Sequence, residues 1–279
     1  MAAEGSRDRR IEDPTNLWLV HPTARALLPA ALRLRVSANT VSVIGFGVGT
    51  AAAIAFAHWR TPALALVGLV LGVLWLVCDG LDGMVARATG TASAVGRVMD
   101  GVCDHGVFIV IYVLLASSIG TPAAWALAVT AGAAHALQSS LYEGERARFH
   151  RRVRGDAMPV AHANLGSAVV RGYDAIAGSI DRLAARFDAA MRSALDPMQA
   201  GRDYGHAAAP PMSAMSLLSA NVRLIAIGLA CLAGAPKLFW WFEIGPLTLV
   251  ALVTIVWHRR VERRLSLTLP DTVGLQAGA

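Results

Sequence analysis

Residues 79–104 read DGLDGMVARATGTASAVGRVMDGVCD, and four aspartates punctuate them. Asp79 and Asp82 close one apolar run, Leu64 to Cys78; Asp100 and Asp104 precede another, Val107 to Ala116. An ionised carboxylate at a bilayer midplane costs roughly 2.5–3.5 kcal/mol. Four of them belong near an interface, in a wet cavity, or around cations. The spacing favours cations. Residues three or four apart share a helix face, so two facing helices would converge all four carboxylates on one spot. Like charges that close raise one another's pKa. Divalent cations neutralise such a cluster, and its all-oxygen donor set suits Mg²⁺ or Mn²⁺ rather than zinc.

The intervening residues sharpen this reading. Gly83, Ala86 and Gly96 are small, as needed where a ligand or second helix approaches the backbone. Arg87 is a fixed cation suited to a phosphate or a carboxylate. Written out, the stretch is D-x2-D-G-x2-A-R-x8-G-x3-D-x3-D. It resembles, position for position, the signature of the CDP-alcohol phosphotransferases (CDP-alcohol phosphatidyltransferases), integral membrane enzymes that build phospholipid head groups. The resemblance covers about a tenth of the chain and rests on these spaced positions.

Composition agrees with a membrane protein. The chain has 279 residues, is 55% hydrophobic and 16% charged, and has a mean hydropathy of +0.51. Its 25 basic against 19 acidic residues would suggest nucleic acid in a soluble protein. Here they read as arginines facing anionic lipid, with no nucleic-acid partner. Cys78, Cys103 and Cys231 lie in or beside apolar runs without CxxC spacing, as membrane-packed thiols do. Met1 to Pro14 is polar and lacks the apolar core of a signal peptide.

The expected fold is all-α and polytopic, with about six transmembrane helices. The spans are Val41–Ala57, Ala63–Cys78, Val107–Ile119, Pro122–Leu137, Val222–Ala235 and Leu238–Trp257. Arg33, Arg35, Arg87, Arg97, the arginines of 146–154 and His258–Arg264 fall on one side; Arg60 and Lys237 fall on the other. By the positive-inside rule both termini and the aspartates face the cytoplasm, in a bacterial-type inner membrane. The organisation is then a disordered tail over 1–15, an interfacial amphipathic segment over 16–36, and a transmembrane catalytic core over 37–141. A cytoplasmic insert follows over 142–220, between the fourth and fifth spans, then the last two spans over 221–260 and a tail over 261–279. Pro22 and Pro29 break the basic, Leu-rich 16–36 segment, which is too charged to span.

Three further features bear on function. Gly45 and Gly49 form a G-x-x-x-G pair, the mark of close helix packing. Asn39 and Ser42 are polar groups three apart at the start of the first span, and on the residues alone N-capping accounts for them better than ligand binding does. The insert opens with Arg146, Arg148, Arg151, Arg152 and Arg154, which suit anionic lipid or a substrate phosphate. Within the insert, Ala175–Leu195 has helical apolar spacing, and Gln199–Pro211 reads as a Gly- and Pro-containing loop. His150, His162 and His206 are scattered, as solvent-facing residues are.

The resemblance implies a reaction: transfer of a phosphatidyl group from a CDP-linked donor such as CDP-diacylglycerol to a small polar alcohol, releasing CMP. It implies two Mg²⁺ or Mn²⁺ ions held by Asp79, Asp82, Asp100 and Asp104, with Asp104 also as general base. Asp79, Gly83, Ala86, Arg87 and Gly96 would line the nucleotide site. Asn39 and Ser42 join them where the family carries Asn-x-x-Thr, and Arg146 and Arg148 would meet the acceptor. A homodimer is a further expectation from the family. Two other classes fit a cluster of aspartates. A magnesium-dependent membrane prenyltransferase would carry a second aspartate-rich motif, and a divalent-metal transporter would spread its acids over several spans. This chain does neither.

Overall fold

The structure is a computed structural model that describes residues 8–156 and 184–267. Among them every extended element is helical. A π-helical turn, Asn16–Val20, leads into α1, His21–Arg33; then come α2, Ala38–Ala57, α3, Pro62–Thr89, α4, Ala94–Ile119, and α5, Pro122–Val153. After the undescribed 157–183, α6 runs over residues 184–193, α7 is Pro197–Met215 and α8 is Ala220–Leu232. Helix α9, Lys237–Phe242, passes through the turn Glu243–Leu247 into α10, Thr248–Ser266.

Local chemistry sets the helix ends. Ser37 and Ser93 cap α2 and α4 by accepting hydrogen bonds from Thr40 N (3.1 Å) and Gly96 N (3.0 Å), satisfying amides that have no intrahelical partner. Gly90 ends α3 at φ +67°, a left-handed conformation that costs other residues more. The chain folds as two compact units: Asp13–Ala136 with Ser219–Leu247, and Met1–Glu12 with Leu137–Leu218 and Thr248–Ala279.

The first unit is a helix bundle in which α2 packs on both α3 and α4, while α1 and α8 pack on α3. A side-chain carbon at Gly45 would lie 3.0 Å from Cys78 Cβ; one at Gly49 would lie 2.5 Å from Val107 and 3.2 Å from Trp75. The G-x-x-x-G face therefore touches both neighbours at once, as the sequence pattern leads one to expect. Trp75 meets Phe108 edge-on with ring centroids 5.4 Å apart, in a core shared by Ile111, Leu115, Leu224 and Trp240. One buried ion pair crosses this unit: Arg223 Nε donates to Glu243 Oε1 at 2.8 Å. His135 lies 3.9 Å from the same oxygen, and its Nδ1 shares a 3.3 Å hydrogen bond with Tyr112 OH.

Among the described residues four helices are long and apolar enough to cross a membrane: Ala38–Ala57, Pro62–Thr89, Gly101–Ile119 and Lys237–Ser266. Pro197–Leu218 with Ala220–Leu232, bent by 40°, makes a fifth if the pair is one span. The expected count of six differs for two reasons. Pro122–Leu137 is only the first half of α5, whose second half carries the charged run EGERARFHRRV. Helix α8 has 13 residues, about 20 Å of helix against a hydrocarbon core of about 30 Å.

The second unit is built on charge. Arg152, 1% exposed, donates from Nε to Asp188 Oδ1 at 2.7 Å and from Nη1 to Tyr204 OH at 3.3 Å, and it pairs with Glu262. Its guanidinium lies over the rings of Phe187 and Tyr204. Tyr204 OH shares a 2.8 Å hydrogen bond with His258 Nε2, and His258 Nδ1 another of 2.8 Å with Glu145 Oε2. Arg148 and Arg259 also hold Glu145, and Arg259 holds Glu262.

Three local expectations are corrected. Gln199–Pro211 is not a loop but lies within α7. Asp196 caps the helix through Met198 N and Gln199 N, both at 2.9 Å, Pro197 opens it, and Tyr204 is buried against α10. Pro29 does not break α1, because it sits on the exposed face while Ala24 and Ala31 on the other face are buried. Of the tail over 1–15, Ile11, Glu12 and Asp13 are buried; Asp13 accepts a 2.6 Å hydrogen bond from Ser219. Of the Ala175–Leu195 helix, residues 184–193 are described, with Ala184, Phe187 and Met191 on its buried face. His206 is exposed and His150 half-buried, and His162 lies outside the described residues.

Two outcomes follow from this packing. Gly49→Val forces its added carbons into Val107, and overpacking of this kind costs about 1–3 kcal/mol; thermal unfolding in detergent reads it as a lowered midpoint. Burial raises the Glu145 pKa, but the His258 hydrogen bond and the Arg259 and Arg148 charges outweigh it and hold the carboxyl at about 2. A depressed folded pKa means stability that is complete above the ordinary carboxylate range and lost as pH falls through it toward 2. Glu145→Gln will therefore flatten the acid limb of the unfolding profile below about pH 4.5.

Candidate active site

The aspartate stretch occupies the last turns of α3, the link Gly90–Ser93 and the first turns of α4. Asp79 and Asp82 lie on α3, which continues past them to Thr89. Asp79 is half-buried and Asp82 is 5% exposed. Ser42, on α2, donates from Oγ to Asp82 Oδ2 at 2.6 Å. Asp100 and Asp104 lie one turn apart on α4; Asp104 is half-buried, and the Asp100 side chain lies outside what the structure describes.

Helix α2 sets the distances between these elements. Gly45 against Cys78 fixes it on α3 one residue before Asp79, and Phe46 lies 2.9 Å from where a Gly106 side chain would begin, fixing it on α4 two residues after Asp104. At the start of α2, Asn39 Oδ1 is 3.8 Å from the corresponding position at Gly96. Asn39, Ser42 and Gly96 thus gather at one end of the bundle with Asp82. Gly83 serves a different need from the one its small size suggests: Arg87 Nη1 lies 3.2 Å from its missing side chain, so the guanidinium folds back along α3 over it. On the other side of α3, Val20 of the turn leading into α1 lies 3.2 Å from the side-chain position of Gly80 and backs the first aspartate pair. Neither Ser93, which caps α4, nor Phe46 stands out in the sequence as a site residue. A Ser three residues before Gly96 was the only local signal for the cap.

Arg146 and Arg148 belong to the other unit. There Arg146 pairs with Glu12 at 3.1 Å and lies over the Tyr142 ring, and Arg148 pairs with Glu145.

Two groups of residues invite a metal. Glu145, His258 and Glu262 bring ligand atoms within 4.8 Å of one another. Their charges, however, are already matched: Glu145, Glu262 and Asp188 stand against Arg148, Arg152 and Arg259, and both ring nitrogens of His258 are engaged. That group is an ion-pair network with no negative charge left over for a divalent cation. The stretch from Asp79 to Asp104 has the opposite balance, four carboxylates against Arg87 and Arg97. Its Asp82 carboxylate is withdrawn from water with one oxygen held by a fixed hydroxyl. A hard divalent cation fits that donor set, since such ions take oxygen ligands from carboxylates.

No curated protein sequence matches the chain. The model of the CDP-alcohol phosphatidyltransferase family matches residues 35–156, which take in α2, α3, α4 and α5. Members of that family are divalent-cation-dependent transferases of substituted phosphate groups from CDP-alcohols. With its apolar membrane-length helices and the aspartate stretch inside the matched segment, the chain is similar over residues 35–156 to the integral membrane enzymes of the CDP-alcohol phosphatidyltransferase family.

Proposed function

We propose that the enzyme moves a phosphatidyl group from a CDP-linked lipid such as CDP-diacylglycerol to the hydroxyl of a small polar alcohol, releasing CMP on the cytoplasmic side of a bacterial-type inner membrane. The observation that carries this reading is the eight-position aspartate pattern, which falls on the adjoining ends of α3 and α4 inside the family-matched segment.

In this reading Asp79, Asp82, Asp100 and Asp104 hold two Mg²⁺ or Mn²⁺ ions. When bound, these offset the charge of the diphosphate and polarise the phosphorus under attack. Asp104 takes the proton from the acceptor hydroxyl as its oxygen bonds to the phosphatidyl phosphorus, and the bond to CMP breaks with its electrons on the CMP oxygen. A carboxylate at the end of the cluster suits that base role. Asn39, Gly83, Ala86 and Gly96 border the nucleotide, and Arg87, folded over Gly83, faces its phosphates. Arg146 and Arg148 are the sequence's candidates for an acceptor phosphate, and each is paired with a carboxylate, Glu12 and Glu145 respectively. The side assignment follows the arginine bias between the two sets of loops.

The test is CMP release from CDP-diacylglycerol by purified protein, scanned over acceptor alcohols with Mg²⁺ or Mn²⁺. The expected result is release with one acceptor, abolished by EDTA and lowered about 10²–10⁴-fold in Asp104→Asn, the usual range for removing a general base. Release that survives EDTA, or full turnover in Asp104→Asn, would overturn the mechanism.

A further inference from the structure

We infer that Ser42 is a positioning residue for the metal site, holding the Asp82 carboxylate in its ligating orientation rather than contacting the nucleotide. The inference rests on the functional reading above and deepens it.

Ser42 has one hydroxyl hydrogen and two acceptors within reach: Ala38 O at 3.2 Å, one turn back on its own helix, and Asp82 Oδ2 at 2.6 Å across the helix interface. The second has the length of a charge-assisted O–H···O⁻ bond, roughly twice as strong as a neutral one. The hydrogen therefore goes to Asp82, and Ala38 O is the weaker, competing acceptor. Both side chains are buried, Ser42 8% exposed and Asp82 5%, so bulk water does not replace the donor if it is removed. Ser42 lies one turn before Gly45 on the face of α2 that meets α3, and the close Gly45 approach to Cys78 brings the hydroxyl within reach of Asp82.

The chemical effect is specific. One oxygen of Asp82 is held by a neutral donor, which restrains rotation of the carboxylate and so biases its orientation toward a cation. A group that orients a metal ligand typically changes metal affinity or activity 10–100-fold when removed. A nucleotide contact would act differently, on the affinity for the CDP-linked lipid with the metal requirement unchanged.

The experiment measures Mn²⁺ binding directly, by the electron paramagnetic resonance signal of free Mn²⁺ titrated into purified protein without substrate. Wild type, Ser42→Ala, Ser42→Cys and Ser42→Thr are compared, with Asp82→Asn as the reference for a lost ligand. Gel filtration and thermal melting establish that each variant is folded. Ser42→Cys keeps the volume with a weak donor, so the question stays answerable if the alanine variant does not fold. The expected result is Mn²⁺ affinity weakened about 10–100-fold in Ser42→Ala and Ser42→Cys and retained in Ser42→Thr, which keeps the hydroxyl. In the CMP-release assay the same two variants need more metal, while their KM for the CDP-linked lipid at saturating metal matches wild type. Wild-type Mn²⁺ affinity in the folded alanine or cysteine variant, or a raised lipid KM alone, overturns the inference. So does a wild type that binds no Mn²⁺. A wild type that binds Mn²⁺ through Ser42 and Asp82 but releases no CMP leaves the inference standing and removes the proposed reaction instead.

Discussion

The close approach of α2 to α3 and α4 is the constraint on which the site depends. Lipid tails are as apolar as the helix surfaces, so there is little hydrophobic drive between spanning helices, and short-range packing has to supply the attraction. Gly45 and Gly49 remove the side chains that would keep α2 away, and Cys78, Trp75 and Val107 fill the space. Because one helix face touches two neighbours, the separation between the carboxylates of α3 and those of α4 is set by a third helix that carries none. The same contact brings the Ser42 hydroxyl to Asp82.

Much of this was legible in the sequence for a physical reason. Carboxylates that are to act together must share a helix face, so the spacing of the four aspartates is written locally, and the small residues between them are local too. The G-x-x-x-G pair likewise announces its contact. What was not legible depends on partners distant in the chain. Arg152 reads as one of a run of arginines; its pairing with Asp188 and with Glu262, 110 residues away, has no local signature. Helix α7 reads as a loop because Gly201, Gly205, Pro210 and Pro211 are poor helix formers. It is helical because Asp196 and Pro197 start it and Tyr204 is pinned from the other side by Arg152 and His258. On the residues alone Asn39 and Ser42 read as helix caps; the cap of α2 is Ser37 instead.

The two units handle charge in opposite ways. In one, carboxylates and guanidiniums are matched and buried together, an arrangement whose value lies in geometry more than in net stabilisation. In the other, the aspartates of residues 79–104 outnumber their basic neighbours, within the segment that the family model matches.

The Arg223–Glu243 pair has a consequence for how the chain enters the bilayer. Helix α8 is short, with an arginine in its first turn, and α9 reaches Glu243 just after its last residue. Either helix presented to lipid alone carries an uncompensated charge. Only Ala233–Pro236 separates them, with Gly234 in a left-handed turn at φ +67°, so they can leave the insertion machinery together as a hairpin with the ion pair already made. Integration of this part of the protein is then a two-helix event, and synthesis must proceed past Glu243 before Arg223 can leave water.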